Sequence, residues 1–372
     1  MDLSRRHFIE AGLGAGMVGT LGACAINTRG ADGLAGAPGQ PAWHLGYQNA
    51  PSNGFEPEAM KLVFGKPPAD LRGSLYRNGP AQFQYGDQYA SHWFDGDGLI
   101  HRIAIEDGQA VHKARFVETR KRREEQAAAA FLAPGFGTLG DDSYYVESSD
   151  DVNAANTSVM VVNGELLALW EAGSAFAMDA DSLETKGPKV WRDDLKAMPF
   201  LAHPKVEPDG RVWNLAVGGS RVGIYRIGKS GELEDFGMVD IGRAAYIHDW
   251  TMSERHLIIL VQPWINENLR PPVVAGFEWQ PQHGLQMLIV DKDDFTIQRW
   301  AQAPARAFFH TGSAWEENDG TIKFDVVLYK EPVLGVGGGA AEIRGDWTAA
   351  DAGVDGILTQ VIIPSSGDAR LI

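Results

Sequence analysis

The chain has 372 residues, 44% of them hydrophobic, enough to bury the core of one large domain or two medium ones and too apolar for a disordered chain. Lys and Arg number 33 against 49 Asp and Glu, a net charge of -16 that repels a phosphate backbone and excludes nucleic acid as a partner. The one cysteine, Cys24, can form no internal disulfide, so chemistry falls to histidines, carboxylates and hydroxyls.

The first residues read as an address. Ser4-Arg5-Arg6-His7-Phe8 places twin arginines before a weakly apolar, Gly- and Ala-rich stretch from Ile9 to Ala23, the pattern of a Tat export signal. The stretch is too short to span a membrane. It predicts a signal peptide over residues 1–25 and a periplasmic protein. Ala23-Cys24-Ala25 satisfies a small-x-small peptidase site, while Leu21-Gly22-Ala23-Cys24 has the form of a lipobox that would leave Cys24 as a lipid anchor. Both outcomes stay open, one soluble and one membrane-anchored. Residues 26–40, rich in Gly, Ala and Pro, read as a flexible tether, and residues 41–372 as one domain.

Within that domain, short apolar runs such as Val212 to Val217 and Leu257 to Val261 lie between turn signals, which predicts strands. Asp-Gly pairs at 95–96, 97–98, 107–108, 209–210, 319–320 and 355–356 mark tight hairpins, because both residue types tolerate positive φ. Only Glu118 to Leu132 has helix-forming composition. Its opening basic run, Thr119-Arg120-Lys121-Arg122-Arg123, is the pattern of a solvated face. The fold class is therefore all-β.

Three histidines stand in similar settings: Phe200-Leu201-Ala202-His203-Pro204-Lys205-Val206, Tyr246-Ile247-His248-Asp249-Trp250, and Phe308-Phe309-His310-Thr311-Gly312. They are 45 and 62 residues apart, near the roughly 40 to 50 residues of a four-stranded propeller blade, a period that brings each to a common axis. A buried neutral imidazole offers one ring nitrogen to a metal while the other N–H finds an acceptor. Singly, each is more often a satisfied core residue. No Ser-His-Asp order, phosphate-cradling loop or paired-Cys site accompanies them.

Together these segments resemble the carotenoid cleavage oxygenases. The likeness also includes Leu71-Arg72-Gly73-Ser74-Leu75-Tyr76-Arg77-Asn78-Gly79-Pro80, His92-Trp93-Phe94-Asp95-Gly96-Asp97-Gly98, and Ala314-Trp315-Glu316-Glu317 after His310. The resemblance implies a seven-bladed β-propeller with an axial Fe(2+). His203, His248 and His310 would be metal ligands, and Glu171 would hydrogen-bond a ligand histidine. The implied activity is O2-dependent cleavage of a carbon–carbon double bond in a carotenoid or apocarotenoid, giving two carbonyl products. Stilbene cleavage is the alternative, with Lys121 placed to contact a phenolic substrate, and a metal-free propeller that binds apolar ligands or partners is another. The family match treats His92 and His101 as scaffold, and His256 and His283 read as structural or solvated.

Two departures matter. Residues 262–277 carry apolar content suited either to a membrane surface or to packing across the propeller face. Gln286 and Asp291-Lys292 also replace the Arg and Pro-Arg of relatives. The chain ends at Ile372, before the stretch where relatives carry their fourth ligand histidine, so the propeller is expected to be C-terminally incomplete, a fragment or an inactive truncated product that binds iron weakly or not at all.

Overall fold

A computed structural model describes residues 42–268, 271–346 and 355–372. The twin-arginine segment, the signal around Cys24 and the tether 26–40 lie outside them. The chain divides into a unit up to Leu45 and a second from Gly46 to Ile372, and the architecture below is that of the second. No described helix is long and apolar enough to cross a membrane.

Among the described residues, alternating and apolar runs between turn residues pair into five four-stranded antiparallel sheets and two two-stranded ones. The first contains Phe55–Ala59, Gly73–Pro80, Gly98–Glu106 and Gln109–Phe116, with Phe55–Ala59 added at the edge beside Gln109–Phe116. The other four are meanders, the fourth interrupted between its second and third strands by the two-stranded hairpin Trp264–Asn266 and Phe277–Trp279. The second runs through Ser158–Val162, Glu165–Leu169, Phe176–Met178 and Thr185–Pro188, and the third through Lys205–Val206, Val212–Gly218, Arg221–Ile227 and Leu233–Asp240. The fourth takes Thr251–Met252, His256–Val261, Leu285–Asp291 and Gln298–Ala303, and the fifth Ala307–Glu316, Ile322–Tyr329, Ile357–Ile363 and Arg370–Leu371.

Hairpin chemistry explains several of the joints. Asp107-Gly108 turns with φ of 50° and 75° between the paired residues Glu106 and Gln109, as an Asp-Gly type I′ turn requires. Asp209-Gly210 and Asp319-Gly320 also connect neighbouring strands. Asn163-Gly164 does the same between Val162 and Glu165. The pairs at 95–96 and 97–98 differ from the expected hairpins. Asp95 ends a short 3-10 turn and Gly98 opens a strand, pressed so close to Ala155 that an added Cβ would lie 2.0 Å from its carbonyl oxygen. Both carboxylates point inward and are buried.

Sheet packs on sheet in series. Ile100 of the first meets Leu166 and Phe176 of the second, and Leu167 and Leu169 meet Val212 and Tyr225 of the third. Leu215 and Ile224 then meet Leu257 and Ile259 of the fourth, whose other face, with Ile258 and Leu260, packs on Phe324 and Val326 of the fifth. The fourth sheet is thus buried on both faces, which is why Leu257 to Val261 reads as a continuous apolar run. Each such Leu or Ile side chain contributes about 1.5–3 kcal/mol by leaving water.

The helix occupies Arg120–Ala128, capped by Thr119, whose hydroxyl accepts from the Arg122 N–H. Its basic run is not the solvated face that composition suggested. Lys121 and Arg122 are buried: the Lys121 ammonium lies 2.9 Å from Asp97 Oδ1 and 2.7 Å from Glu125 Oε2, and the Arg122 guanidinium stacks 3.5 Å over the Phe116 ring. Asp97 also accepts from the Tyr85 hydroxyl. Partners from the first sheet and the spacing of Lys121 and Glu125 on one helical face make this burial tolerable.

A second clamp joins the fourth and fifth sheets. Glu316 accepts from the Ser253 hydroxyl, the Arg255 N–H at 3.2 Å and Arg255 Nε at 2.8 Å, and lies 2.8 Å from His256 Nδ1. Burial opposes its ionisation, yet these hydrogen bonds bring its pKa down from 4.5 to about 2. The clamp's stabilisation is therefore complete above pH 4.5 and is lost as the pH falls toward 2. Glu316→Gln is expected to lower the melting temperature at pH 7 and to flatten its decline between pH 4.5 and 2, followed by circular dichroism. A decline as steep as in the unsubstituted chain would assign that acid sensitivity to other groups.

Candidate metal centre

Each histidine is carried by the leading strand of its sheet or by the loop just before it. His203 precedes Lys205–Val206 of the third sheet, His248 precedes Thr251–Met252 of the fourth, and His310 lies within Ala307–Glu316 of the fifth, at a shift in strand register. The residues before each one anchor it. Phe200, Leu201 and Ala202 are buried, as are Tyr246 and Ile247, and Ala307 and Phe308. Backbone groups of these anchors are tied by buried amides: Asn214 donates to the Leu201 carbonyl, and Gln262 donates to that of Tyr246 and accepts from the Phe308 N–H. The apolar residues fix the chain in the core, and the next side chain projects out of it.

The three imidazoles converge. His203 Nε2 lies 2.9 Å from His248 Nε2, which lies 3.1 Å from His310 Nε2, and one nitrogen of each falls within 4.8 Å of the others. Among the described residues this is the group of three or more His, Cys, Asp or Glu side chains spaced to hold one metal ion. Burial, reinforced by the neighbouring His248, lowers the pKa of His203 to about 4 and moves that of His310 in the same direction. Both are neutral at pH 7 and able to donate lone pairs. Burial also acts to lower His248, but the charge and hydrogen bond of Glu171 raise it above its usual value.

Glu171 follows Glu165–Leu169 of the second sheet, where an isolated bridge from Trp170 to Phe200 brings it to the centre. Its Oε1 bonds His248 Nδ1 and lies 3.4 Å from the Tyr246 hydroxyl. With Nδ1–H directed at a carboxylate, His248 keeps its Nε2 lone pair for the cluster.

On one side stands an aromatic wall of Tyr246, Trp264, Phe277, Trp279, Phe309 and Phe136. The Phe309 ring meets His248 edge-on with centroids 5.6 Å apart. Much of the apolar content in residues 262–277 is spent here: Trp264, Ile265 and Val274 are buried, and among the described residues of that stretch Val273 is the large apolar side chain left exposed. The described part of the loop thus packs across this face. Phe136 arrives on a loop whose N–H groups at 136, 137 and 138 all donate to Asp95, one of the two inward-turned Asp-Gly carboxylates.

The other conspicuous residues stand elsewhere. His92 is buried and accepts the Phe94 N–H as a cap, while His101 Nδ1 lies 2.9 Å from His112 Nε2 in the first sheet. His256 is bound in the Glu316 clamp, and His283 Nε2 lies 3.2 Å from Gln280 Oε1. Lys121 sits in the ion network of the first sheet, between Asp97 and Glu125, and is not gathered to the three histidines.

Sequence reading assigned no role to Asp249, Lys205 or Thr311, although each lies within two residues of a cluster histidine. Lys205 Nζ is 2.6 Å from Asp249 Oδ1, and the Thr311 N–H and hydroxyl both donate to Asp249 Oδ2, at 2.8 and 3.0 Å. The available signal was the polar residue following each motif.

Comparison with known proteins adds four findings. The family model described as retinal pigment epithelial membrane protein matches residues 49–366. The chain is 29% identical over 312 residues to an apocarotenoid-15,15'-oxygenase of Synechocystis, covering 77% of this chain and 62% of that protein. It is also 29% identical over 287 residues to resveratrol cleavage oxygenase 1 of Aspergillus fumigatus, covering 73% and 56%. Among solved structures, the cobalt-substituted Synechocystis apocarotenoid oxygenase superposes with a TM-score of 0.77 at 25% identity, over 88% of this chain and 72% of that one. The all-β fold is thus of the same propeller-like kind, and the chain spans about three fifths of the length of the curated relatives it matches.

Proposed function

Because the chain belongs to the retinal pigment epithelial membrane protein family, which includes the carotenoid cleavage oxygenases, we propose that its three-histidine centre holds Fe(2+) and serves O2-dependent cleavage of a carbon–carbon double bond in a carotenoid or apocarotenoid. The observation that carries this reading is the convergence of His203, His248 and His310, with Glu171 behind His248. The donor set suits the ion: His203, His248 and His310 would hold it through imidazole nitrogens, and Glu171, hydrogen-bonded to His248, would offset its charge.

When bound, ferrous iron would supply what no side chain can, activation of triplet O2 toward a singlet alkene. The chain's own residues do the rest. Glu171 fixes the tautomer and ring plane of His248, and the wall of Tyr246, Trp264, Phe277 and Phe309 offers a dry apolar surface along which a conjugated chain can lie. No proton-transfer residue is required for the cleavage. A stilbene is the second substrate class, favoured by the equal identity to the resveratrol-cleaving relative. The same reading counts the five four-stranded sheets of the described residues as blades of a seven-bladed propeller, and takes residues 1–25 as the signal that sends the protein through the twin-arginine route to the periplasm.

The test is anaerobic loading with excess Fe(2+), followed by 18O2 with an apocarotenoid or with resveratrol. Labelled carbonyl products from one class, absent in His203→Ala, are the expected result. Full iron occupancy with no product from either class, and apolar ligand binding indifferent to His203→Ala, would overturn the proposal in favour of a binding protein.

A further inference from the structure

The three segments that carry the histidines meet a second time, behind the imidazoles, on one carboxylate. Asp249 is 2% exposed. Its Oδ1 receives Lys205 Nζ at 2.6 Å and the Trp250 N–H at 2.8 Å, and its Oδ2 receives the Thr311 N–H at 2.8 Å and the Thr311 hydroxyl at 3.0 Å. Lys205 lies two residues after His203, Asp249 one after His248, and Thr311 one after His310. The leading edges of the third, fourth and fifth sheets thus each send one residue to the cluster and another to this junction. Thr251 Oγ1 braces it by donating to the Gly312 carbonyl at 2.9 Å, and the Trp250 carbonyl, 2.8 Å from Thr311 Oγ1, is the alternative acceptor for that hydroxyl's single proton.

We propose that Asp249 is a positioning residue that sets the spacing of His203, His248 and His310, and through it the affinity of the centre for a divalent cation, without itself touching the ion. The proposal rests on reading the cluster as a metal site. The physical reason is twofold. Hydrophobic contacts hold neighbouring sheets together but permit sliding of a few tenths of an ångström, whereas charge-assisted hydrogen bonds to one carboxylate are short and directional. The same carboxylate also neutralises Lys205, whose ammonium would otherwise stand as an uncompensated positive charge close to an intended cation. An outer partner of this kind typically changes metal affinity by about 10- to 100-fold.

Asp249→Asn tests both parts, since the amide keeps the shape and an acceptor for Thr311 but loses the charge that holds Lys205. Co(2+) titration of the whole chain, read by visible absorption, is expected to show affinity reduced by about 10- to 100-fold and a shifted band. Lys205→Met/Asp249→Asn removes the stranded cation and is expected to recover part of the loss, and Asp249→Glu to recover less. In the metal-free chain, the ring resonances of His203 and His310, assigned with their alanine variants, are expected to move in Asp249→Asn. Unchanged resonances in that variant, or unsubstituted affinity and spectrum for Co(2+), overturn the proposal. Failure of the metal reading looks different: the unsubstituted chain takes up no Co(2+), or takes it up equally well as His203→Ala, while the Asp249→Asn resonances still move.

Discussion

His248→Ala is expected to abolish specific divalent metal uptake, lowering affinity for Co(2+) by more than about a hundredfold, beyond the effect of removing an outer hydrogen-bond partner. The asymmetry of the cluster is the reason. His248 Nε2 is the central atom, 2.9 Å from one neighbour and 3.1 Å from the other, so its loss leaves His203 and His310 without the nitrogen that bridges them. His248 is also the imidazole that engages Glu171, so the variant separates the carboxylate from the centre. His203→Ala and His310→Ala each leave an adjacent pair that includes His248 and should bind more weakly than the intact chain but measurably. Competitive titration against a chelator of known affinity orders the three variants; equal affinities for all three would contradict the central position of His248.

The second large effect falls on stability, away from the cluster. Lys121→Met removes the ammonium between Asp97 and Glu125, whose side chains are 1% and 0% exposed, and is expected to cost about 3–5 kcal/mol in a urea unfolding curve. Arg122 remains 3.7 Å from Asp97 Oδ2 and can offset part of that residue's charge, but Glu125 has no second cation so close. Burial already pushes the Glu125 carboxyl upward, with Lys121 the main influence holding it down, so the variant should drive Glu125 toward its protonated form. Lys121→Met/Glu125→Gln should regain part of the loss. A single variant that unfolds within about 1 kcal/mol of the unsubstituted chain would mean that the ion network is not what holds the helix on the first sheet.

Those two variants also mark what could and could not be seen in the amino-acid order. His203, His248 and His310 were legible because each repeats one local arrangement, apolar anchors then a histidine then a turn or strand, and the spacing of the three follows the length of a sheet. The strands Val212–Gly218 and His256–Val261 were legible from unbroken apolar runs. Glu171 came only through resemblance. The burial of Lys121 and Arg122 was not legible, because a basic run at a helix start looks the same whether water or carboxylates surround it, and one of the two partners of Lys121, Asp97, lies 24 residues away. The same limit applies to Asp95 and Asp97, where the Asp-Gly pattern signals a turn whatever the carboxylate does. The loop at 262–277 shows it for apolar residues: sequence registers their hydrophobicity, and only the partner ring of Tyr246 decides which way they face.

The placement of the histidines on three successive sheets has a consequence for biosynthesis. A chain emerging from the ribosome completes the third sheet at Asp240, the fourth at Ala303 and only then begins the strand that bears His310. An intermediate that ends before that strand holds at most His203 and His248, so the three-nitrogen set is complete only once the fifth sheet has begun, unlike a zinc finger, where metal and structure form together. The cluster is therefore a late product of assembly, and under the proposed function its capacity for metal would report on whether the third, fourth and fifth sheets have docked in register.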